Sequence, residues 1–283
     1  MSSITELIKE LRNQTGAGFL DCKKCLEENN NDIEKSIEAL RKKGLAKASK
    51  KSDRDANEGA VGIYFNNDIT ALIKVNSETD FAAKSKTFLD FMDILGKLVL
   101  ENNSSLDKDQ FLNLKYENGT VKDYFNSMIA KIGENLILND LVIKENKVSD
   151  YSFYIHNSYR SNIGKIVSLL EYSSNNKNLE IQTLTKNLCM HIAAMKPESL
   201  DIDDLDRELV VKEEKIQTEL ILNSGKPSNI VNKILEGKMK KFYSEVTLFN
   251  QSYILDQDKN IKQLIEEHST FDFRIISFEL ISL

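Results

Sequence analysis

Cysteine and histidine are the residue types in this sequence most able to do chemistry. Cys22 and Cys25 form a CxxC motif, the spacing of redox-active dithiols and, where a second pair follows, of zinc sites. No strand pattern precedes the motif, and the remaining cysteine, Cys189, stands alone. The histidines lack partners at ligand spacing: His156, His191 and His268. We predict structural cysteines and no metal or cofactor, with a thiol-dependent enzyme using Cys22 and Cys25 as one alternative.

Motifs for nucleotide binding and acid–base catalysis are missing from the sequence. Neither GxxxxGK[ST] nor GxGxxG occurs, so we expect no direct binding of a nucleotide phosphate. The acid pairs Asp203-Asp204 and Glu213-Glu214 lie in a charged helical segment, where solvation explains them better than catalysis. The sequence therefore predicts a protein that is not an enzyme.

The segment Thr79-Asp80-Phe81-Ala82-Ala83-Lys84 places a large apolar ring beside a carboxylate, in a short loop after a strand. Two interpretations stay open from the residues alone. In one, Phe81 is presented to another molecule. In the other, Phe81 packs into the core and Asp80 caps the following helix.

Composition limits the elements that could position these residues. The 283 residues exceed one typical domain, and 29% charged with 41% hydrophobic residues is an ordinary globular balance. A net charge of −6 disfavours a protein built to coat nucleic acid. We also expect no membrane partner, no signal peptide and, from the odd number of cysteines, a cytoplasmic location.

The N-terminal segment predicts three short helices. Ser3 with Glu6 fits a capping box, and Asn31 is the predicted cap of the third helix. In the second helix, Phe19 to Glu28, we expect Leu20 and Leu26 to face inward. Gly44 is the predicted end of the third helix. Such a bundle, of the ubiquitin-associated (UBA) type, usually binds another protein.

The stretch from Arg41 to Arg54 holds seven basic residues and one acid. A nucleic-acid patch is one interpretation, but aromatic residues are not interleaved and the whole chain is acidic. We therefore expect a solvated basic linker.

The middle of the chain predicts a repeated strand–turn–strand–helix order. Period-two alternation from Val61 to Phe65, a turn and a return from Ile69 to Val75 indicate a β-hairpin. Helical patterns follow, including one from Val121 to Leu138. A second hairpin and helix begin near Tyr151, so we predict a duplicated core.

Two helical patterns after residue 200, joined by a short connection, predict an antiparallel helical hairpin. Strand patterns return at Val246 to Phe249 and from Phe271 onward. The predicted fold class is α+β, with a UBA-like three-helix bundle, a two-lobed core with antiparallel strands and the inserted hairpin. The predicted domains are 1–54 (bundle and basic linker), 55–145 (core subdomain N), 146–200 (core subdomain C, first part), 201–242 (helical hairpin) and 243–283 (core subdomain C, second part).

Five blocks resemble, in order, the signature segments of the elongation factor Ts family. They are Thr15-Gly16-Ala17-Gly18 with Asp21-Cys22-Lys23-Lys24, Thr79-Asp80-Phe81, Lys131-Ile132-Gly133-Glu134-Asn135, His191-Ile192-Ala193-Ala194-Met195-Lys196-Pro197 and Ser224-Gly225-Lys226-Pro227. Ala82 departs from the usual Val of the second block. The chain ends at Leu283, so we expect no C-terminal helical extension of the kind found in some members.

The resemblance implies a guanine-nucleotide exchange factor of elongation factor Tu, which binds Tu in its GDP-bound and nucleotide-free states. It implies dislocation of the partner's Mg²⁺ by the segment Thr79, Asp80, Phe81 and Ala82. Partner-binding residues are expected at Thr15, Gly16, Gly18, Asp21, Lys23 and His156. A homodimer through the helical hairpin is also implied. The alternative from another class is a UBA-type adaptor that binds a protein without exchange activity.

Overall fold

The computed structural model describes residues 3–15, 17–102, 106–146, 149–223 and 228–283. Gly16 and the Ser-Gly-Lys-Pro motif at 224–227 lie outside the described residues. Within those ranges the protein is α+β, as predicted from the sequence. No helix in the described part of the chain is long and apolar enough to cross a membrane.

The helices are α1 Ile4–Thr15, α2 Phe19–Glu28, α3 Ile33–Ser49, α4 Asp80–Lys84, α5 Lys86–Glu101, α6 Lys108–Leu112, α7 Val121–Ile132, α8 Leu179–Met195, α9 Arg207–Asn223, α10 Ser228–Val246 and α11 Ile261–Glu267. The strands are β1 Glu58–Phe65, β2 Ile69–Ser77, β3 Lys115–Tyr116, β4 Gly119–Thr120, β5 Leu136–Glu145, β6 Asp150–Arg160, β7 Ile163–Ser173, β8 Ser252–Tyr253, β9 Asp256–Asn260 and β10 Arg274–Ser282.

The chain forms two compact units. The first unit consists of Met1–Glu145, Asn157–Ile166 and Ile281–Leu283, and the second of Asn146–His156 and Val167–Leu280. Each has its own buried apolar cluster, which is why each is compact.

An antiparallel sheet forms the centre of the first unit. Strands β1 and β2 make the predicted hairpin, with Glu58 opposite Ser77 and Phe65 opposite Thr70. Strand β5 pairs with the other edge of β2, also antiparallel. Helix α5 packs on this hairpin, and its buried apolar residues recur at helical spacing: Phe88, Phe91, Met92, Leu95 and Leu98. The sheet thus supplies a rigid base for the residues that follow β2.

Helices α1, α2 and α3 pack against one another around a small cluster, whose buried members are Ile8, Leu11, Cys22, Cys25, Leu26 and Leu40. The Ser3–Glu6 capping box is confirmed, since Ser3 N–H donates to Glu6 Oε2 at 2.7 Å and Glu6 N–H donates to Ser3 Oγ at 3.3 Å. The predicted cap of α3 is wrong by one residue: Asp32, not Asn31, accepts from Lys35 N–H at 3.0 Å.

Helix α3 corrects two further expectations. It continues through Gly44 to Ser49, so Gly44 is not its end and the stretch from Arg41 is not a linker throughout. The reason is packing, since α3 lies against α7 and Arg41 Nη2 donates to Asp123 Oδ2 at 2.6 Å. Arg41 thus binds a neighbouring helix, whereas Lys42 is an exposed residue paired with Glu38 of its own helix.

Two element boundaries also differ from the sequence pattern. Helix α7 begins with a capping box between Thr120 and Asp123 but ends before Gly133, which adopts φ 89°. The predicted continuation to Leu138 is wrong because the following residues enter β5. The strand expected at Val246 to Phe249 is absent from the described fold: α10 runs to Val246, and Leu248–Asn250 is a 3₁₀ turn.

The second unit surrounds a separate core. Helix α8, strand β7 and helix α11 contribute buried side chains to it, among them Leu170, Leu184, Leu188, Ile192, Ile261 and Leu264, and partly buried residues of β10 pack against it. Helices α9 and α10 pack against each other, with Ile221, Val231 and Met239 buried.

Candidate functional site

Phe81 lies on the surface of α4, the short helix that follows strand β2. Its side chain is 84% exposed, the largest exposure of any large apolar residue in the described chain. The next two residues, Ala82 and Ala83, are buried. The small alanines therefore seat α4 on the first unit while the ring points to solvent. The alternative that Phe81 packs into the core is wrong.

Thr79 is the residue that begins this helix. Its backbone is extended, with φ −128° and ψ 156°, and its Oγ1 accepts from Ala82 N–H at 3.2 Å. The cap is therefore Thr79 and not Asp80, contrary to the other half of that alternative. A five-residue helix gains little from its own hydrogen bonds, so a cap and outside support matter unusually.

Asp80 forms an ion pair one turn along α4. Lys84 Nζ donates to Asp80 Oδ2 at 2.6 Å, and this hydrogen bond lowers the pKa of Asp80 below its ordinary value. The same bond raises the pKa of Lys84. The carboxylate beside Phe81 is therefore negatively charged at neutral pH and directed along its own helix.

Two carboxylates fix the loop before α4. Glu134 accepts from Thr79 at both oxygens, 2.9 Å from the backbone nitrogen and 2.7 Å from Oγ1. In the opposite direction, Glu78 Oε1 accepts from Asn135 N–H at 2.7 Å. We call these four residues, Glu78, Thr79, Glu134 and Asn135, the carboxylate clasp. The clasp joins two segments that are both signature blocks of the sequence.

The clasp is also tied to the segment that follows α3. Buried Asn135 donates through Nδ2 to Arg54 O at 2.8 Å and to Ser52 O at 3.3 Å. Arg54 Nη1 lies 3.4 Å from Glu78 Oε2, and Lys51 Nζ donates to Gly133 O. Residues from the predicted basic linker thus support the loop that displays Phe81.

The predicted partner-binding residues near the N terminus lie at the junction of α1 and α2. Thr15 Oγ1 donates to Leu11 O at 2.6 Å and accepts from Ala17 N–H at 3.3 Å, which closes the end of α1. Gly18 is the N-cap of α2, and a Cβ there would meet no atom within 4 Å. Asp21 lies in the first turn of α2, and Lys23 follows two residues later in the same helix.

An apolar surface at this junction was missed by the sequence analysis. Leu20 is 78% exposed and Phe19 is 47% exposed, so the prediction that Leu20 faces inward is wrong. Lys23 is paired with Glu27 at 3.7 Å on the same helix. Phe19 and Leu20 therefore form a small exposed apolar surface at the start of α2.

His156 lies in the second unit, near the end of its part of β6. Its ring is exposed, and Nδ1 lies 3.2 Å from the Tyr154 hydroxyl. Asn157 follows with φ 52°. Tyr154 itself is half-buried against the core of the second unit, so the exposed ring of His156 is the part of this pair that can offer a hydrogen bond to a partner.

The three cysteines and His191, the histidine of the fourth signature block, are all buried inside the protein. Cys22, Cys25 and Cys189 are free and buried, as the structural interpretation predicted. His191 is fully buried, with Nε2 3.0 Å from Gln251 Oε1, and its pKa is lowered by burial. Among the described residues, no cluster of His, Cys, Asp and Glu could hold a metal ion.

Comparisons with known proteins agree with this arrangement. A family model described as "Elongation factor TS" matches residues 78–283. Elongation factor Ts of Rhodospirillum centenum is 38% identical over 260 residues, which cover 92% of this chain and 85% of the relative. That of Wolbachia pipientis wMel is 36% identical over 277 residues, or 98% of this chain and 96% of the relative. The chain therefore belongs to the elongation factor Ts family.

Proposed function

We propose that this chain is the guanine-nucleotide exchange factor of elongation factor Tu in translation elongation. It binds Tu carrying GDP, promotes release of GDP and lets GTP take its place. The observation that carries the proposal is the ring of Phe81, 84% exposed on a capped and clasped helix, in a chain of this family. No bond is made or broken by the chain itself.

In this proposal Phe81 inserts as an apolar wedge between elements of the partner's nucleotide-binding domain. A G protein holds GDP through phosphate contacts and through Mg²⁺, and its switch elements depend on both. Displacing those elements weakens the hold on Mg²⁺, so GDP dissociates faster. Asp80, with its ion pair to Lys84, supports the displaced arrangement, and Thr79 and Ala82 fix the position of the helix.

Burial of the ring supplies part of the driving force. A phenylalanine side chain transferred from water to an apolar contact contributes about 1.5–3 kcal/mol. Thermodynamic linkage makes the effect reciprocal: if the factor weakens nucleotide binding, nucleotide weakens factor binding by the same ratio. Incoming GTP therefore releases the factor, and the cycle can repeat.

The remaining predicted contacts with Tu position Phe81 for insertion. The bundle of α1 to α3, taken as UBA-like, binds Tu through the junction of α1 and α2, which includes Thr15, Gly18, Asp21 and Lys23. Gly16, which lies outside the described residues, belongs to the same motif and takes part in this proposed contact. His156 adds a contact from the second unit. We further propose that the chain binds Tu in both its GDP-bound and nucleotide-free states, binds no nucleic acid and pairs with a second copy through α9 and α10.

The test follows release of a fluorescent GDP analogue from elongation factor Tu. We expect the intact chain to accelerate release strongly, and Phe81→Ala to lose most of that acceleration. Phe65→Ala is the matched control, since Phe65 is also an exposed phenylalanine of the first unit, at 57%. The control should accelerate release as the unchanged chain does.

The alternative functions give different results in the same assay. A UBA-type adaptor would bind Tu without changing the rate of GDP release. A thiol-dependent activity would depend on Cys22 and Cys25, whereas we expect their replacement by serine to change GDP release little. If Phe81→Ala matches the unchanged chain, the wedge assignment is wrong even though the family is right.

A further inference from the structure

The carboxylate clasp lies beside the wedge, yet none of its contacts is needed to expose Phe81. Strand β2 ends at Ser77 and α4 begins at Asp80, so Glu78 and Thr79 alone connect them. Ser85 joins the other end of α4 directly to α5 and caps both helices, so the end of α4 next to β2 is the one that further contacts must fix. The question is therefore what the clasp adds.

The geometry points to Glu134 as a positioning residue for Phe81, with Glu78 as its counterpart, and this inference rests on the proposed exchange function. We propose that the clasp holds α4 in the one orientation in which the ring enters the partner. Glu134 does not touch the partner in this proposal. It acts through Thr79.

Glu134 holds Thr79 in two places at once. Its Oε2 accepts the backbone N–H at 2.9 Å and its Oε1 accepts the hydroxyl at 2.7 Å. Because that hydroxyl donates to Glu134, its lone pairs remain for the helix, and Ala82 N–H donates to it at 3.2 Å. The same residue is therefore anchored and acts as the helix cap, so the orientation of α4 follows the position of Glu134.

The reverse contact prevents rotation of the loop about that anchor. Glu78 accepts from Asn135 N–H at 2.7 Å, so each segment gives one carboxylate to a backbone nitrogen of the other. Hydrogen bonds to an ionised carboxylate are about twice as strong as neutral ones. Two such contacts in opposite directions fix both the separation and the angle of the segments.

The clasp also connects the wedge to the N-terminal helices. Asn135 Nδ2 donates to Arg54 O at 2.8 Å, and Arg54 lies beyond the end of α3 in the chain. Helix α3 belongs to the bundle that we propose binds Tu. Binding through the bundle and insertion of Phe81 are thereby coupled through Asn135 and Glu134 instead of through a free linker.

Glu134→Ala and Glu134→Gln test this proposal together. In Glu134→Ala both acceptors are lost. In Glu134→Gln the amide oxygen can accept from Thr79 N–H while the amide nitrogen donates to Thr79 Oγ1. The conservative variant should therefore restore most of the function that alanine removes. Glu101→Ala is the matched control, because Glu101 is a glutamate of the first unit whose ion pair among the described residues is with Lys97 of its own helix, at 3.7 Å.

The kinetic measurement is release of the fluorescent GDP analogue from Tu at increasing concentrations of factor. We expect Glu134→Ala to lower the maximal release rate about tenfold while the half-saturating concentration changes by less than about threefold, since positioning is lost and binding surfaces remain. Glu134→Gln should lie close to the unchanged chain. Adding Glu134→Ala to Phe81→Ala should cause little further loss, because the two act as a unit.

A second measurement follows the loop directly. Amide hydrogen exchange in the segment 78–85 should be faster in Glu134→Ala and unchanged in Glu101→Ala. If Glu134→Ala does not unfold cooperatively, Thr79→Val takes its place, because valine removes the hydroxyl and keeps the shape. Faster local exchange together with an unchanged maximal release rate would show a merely structural clasp and overturn the proposal.

Failure of this inference can be told from failure of the proposed function. If the unchanged chain does not accelerate GDP release, the exchange function itself is wrong. If Phe81→Ala loses the acceleration while Glu134→Ala keeps it, the wedge stands and the clasp proposal is wrong.

Discussion

The residues next to Phe81 hold α4 in place while the phenylalanine ring stays exposed to water. Ala82 and Ala83 are buried, so they fix one side of α4, and Thr79 fixes its start through the cap and the bond to Glu134. The ring itself is left without packing. A side chain that contributes nothing to the fold of its own chain, on a helix held from two sides, is available for a partner.

His191 shows the opposite situation, a titratable group used for structure. Gln251 Nε2 donates to Glu245 O at 2.8 Å, which orients its amide so that Oε1 accepts from His191 Nε2. The other ring nitrogen, Nδ1, faces Ile254 N–H at 3.4 Å. The neutral imidazole therefore donates through Nε2 and accepts through Nδ1. Protonation of Nδ1 would place its N–H opposite the N–H of Ile254, so two donors would face each other.

We predict that this histidine makes stability depend on pH. Burial, the larger cause, lowers its pKa from the ordinary 6.5, and the bond to Gln251 acts in the opposite direction. Below pH 6.5 His191 binds a proton more readily in the unfolded chain than in the folded chain. The free energy of unfolding therefore falls as pH falls through that value. The slope from one group is at most about 1.4 kcal/mol per pH unit.

The measurement is denaturant unfolding of the unchanged chain and of His191→Gln at pH 7.5 and pH 5.5. The unchanged chain should lose more stability between the two pH values than the variant does. Other titrating groups are common to both proteins and drop out of the difference. Equal losses would show that His191 is protonated equally in the folded and unfolded states.

At the scale of elements, Gly133 and Gly44 have opposite roles. Gly133 ends α7 at φ 89°, a conformation that costs an L-residue about 1–2 kcal/mol. Gly44 lies inside α3, where a Cβ would meet Ala130 Cβ at 3.8 Å, an ordinary contact. The same chemical change should therefore have opposite signs at the two positions.

We predict that Gly133→Ala lowers the free energy of unfolding by about 1–2 kcal/mol, and that Gly44→Ala raises it by about 0.5–1 kcal/mol. Both residues lie in the first unit, so the pair is matched. Thermal unfolding followed by circular dichroism measures both shifts. Gly133→Ala should also slow GDP release, because Glu134 follows it directly. Destabilisation by Gly44→Ala would contradict the α3–α7 packing described above.

Alternation and helical spacing were sufficient to predict many of these elements. The β1–β2 hairpin and the apolar face of α5 follow from local periodicity, since their buried residues recur at intervals of two and of three to four. The end of α7 could not be predicted in this way, because apolar residues continue past Gly133 into β5. The sequence also wrongly predicted that α3 ends at Gly44. The helix continues through this glycine because α3 packs against α7, a contact that no local pattern shows.

The candidate site was predictable in part. The sequence indicated Phe81 beside Asp80 but left its burial open, because an apolar ring after a strand fits both a core and a surface. Glu134 lies in a signature block, but the sequence indicates no role for it. Its bond to Thr79 joins positions separated by 55 residues, and no local pattern shows such a contact.

At the scale of the whole molecule, each of the two units contains buried free thiols, whose reactivity can be used to follow the opening of that unit. Cys22 and Cys25 lie in the first unit and Cys189 in the second, all buried. Burial raises the pKa of the Cys22 thiol and raises that of Cys189 to about 12. The reactive thiolate is therefore scarce and shielded at both places.

We predict that an aromatic disulfide reagent at pH 8 modifies the three cysteines slowly in the folded chain and rapidly after denaturation. Variants that keep only Cys189 or only the Cys22–Cys25 pair separate the opening of the two units. Fast modification of either variant in the absence of denaturant would contradict the burial of that site. Replacement of Cys22 and Cys25 by serine should leave GDP release almost unchanged.

The separation of the clasp residues along the chain has a consequence for synthesis on the ribosome. A nascent polypeptide that has emerged only as far as α5 already contains Phe81, yet it lacks Glu134 and Asn135, which come about fifty residues later. Until then α4 is a five-residue helix without its anchor and too short to persist alone. If the clasp positions Phe81 as proposed, a growing chain gains exchange activity only after Glu134 and Asn135 have emerged.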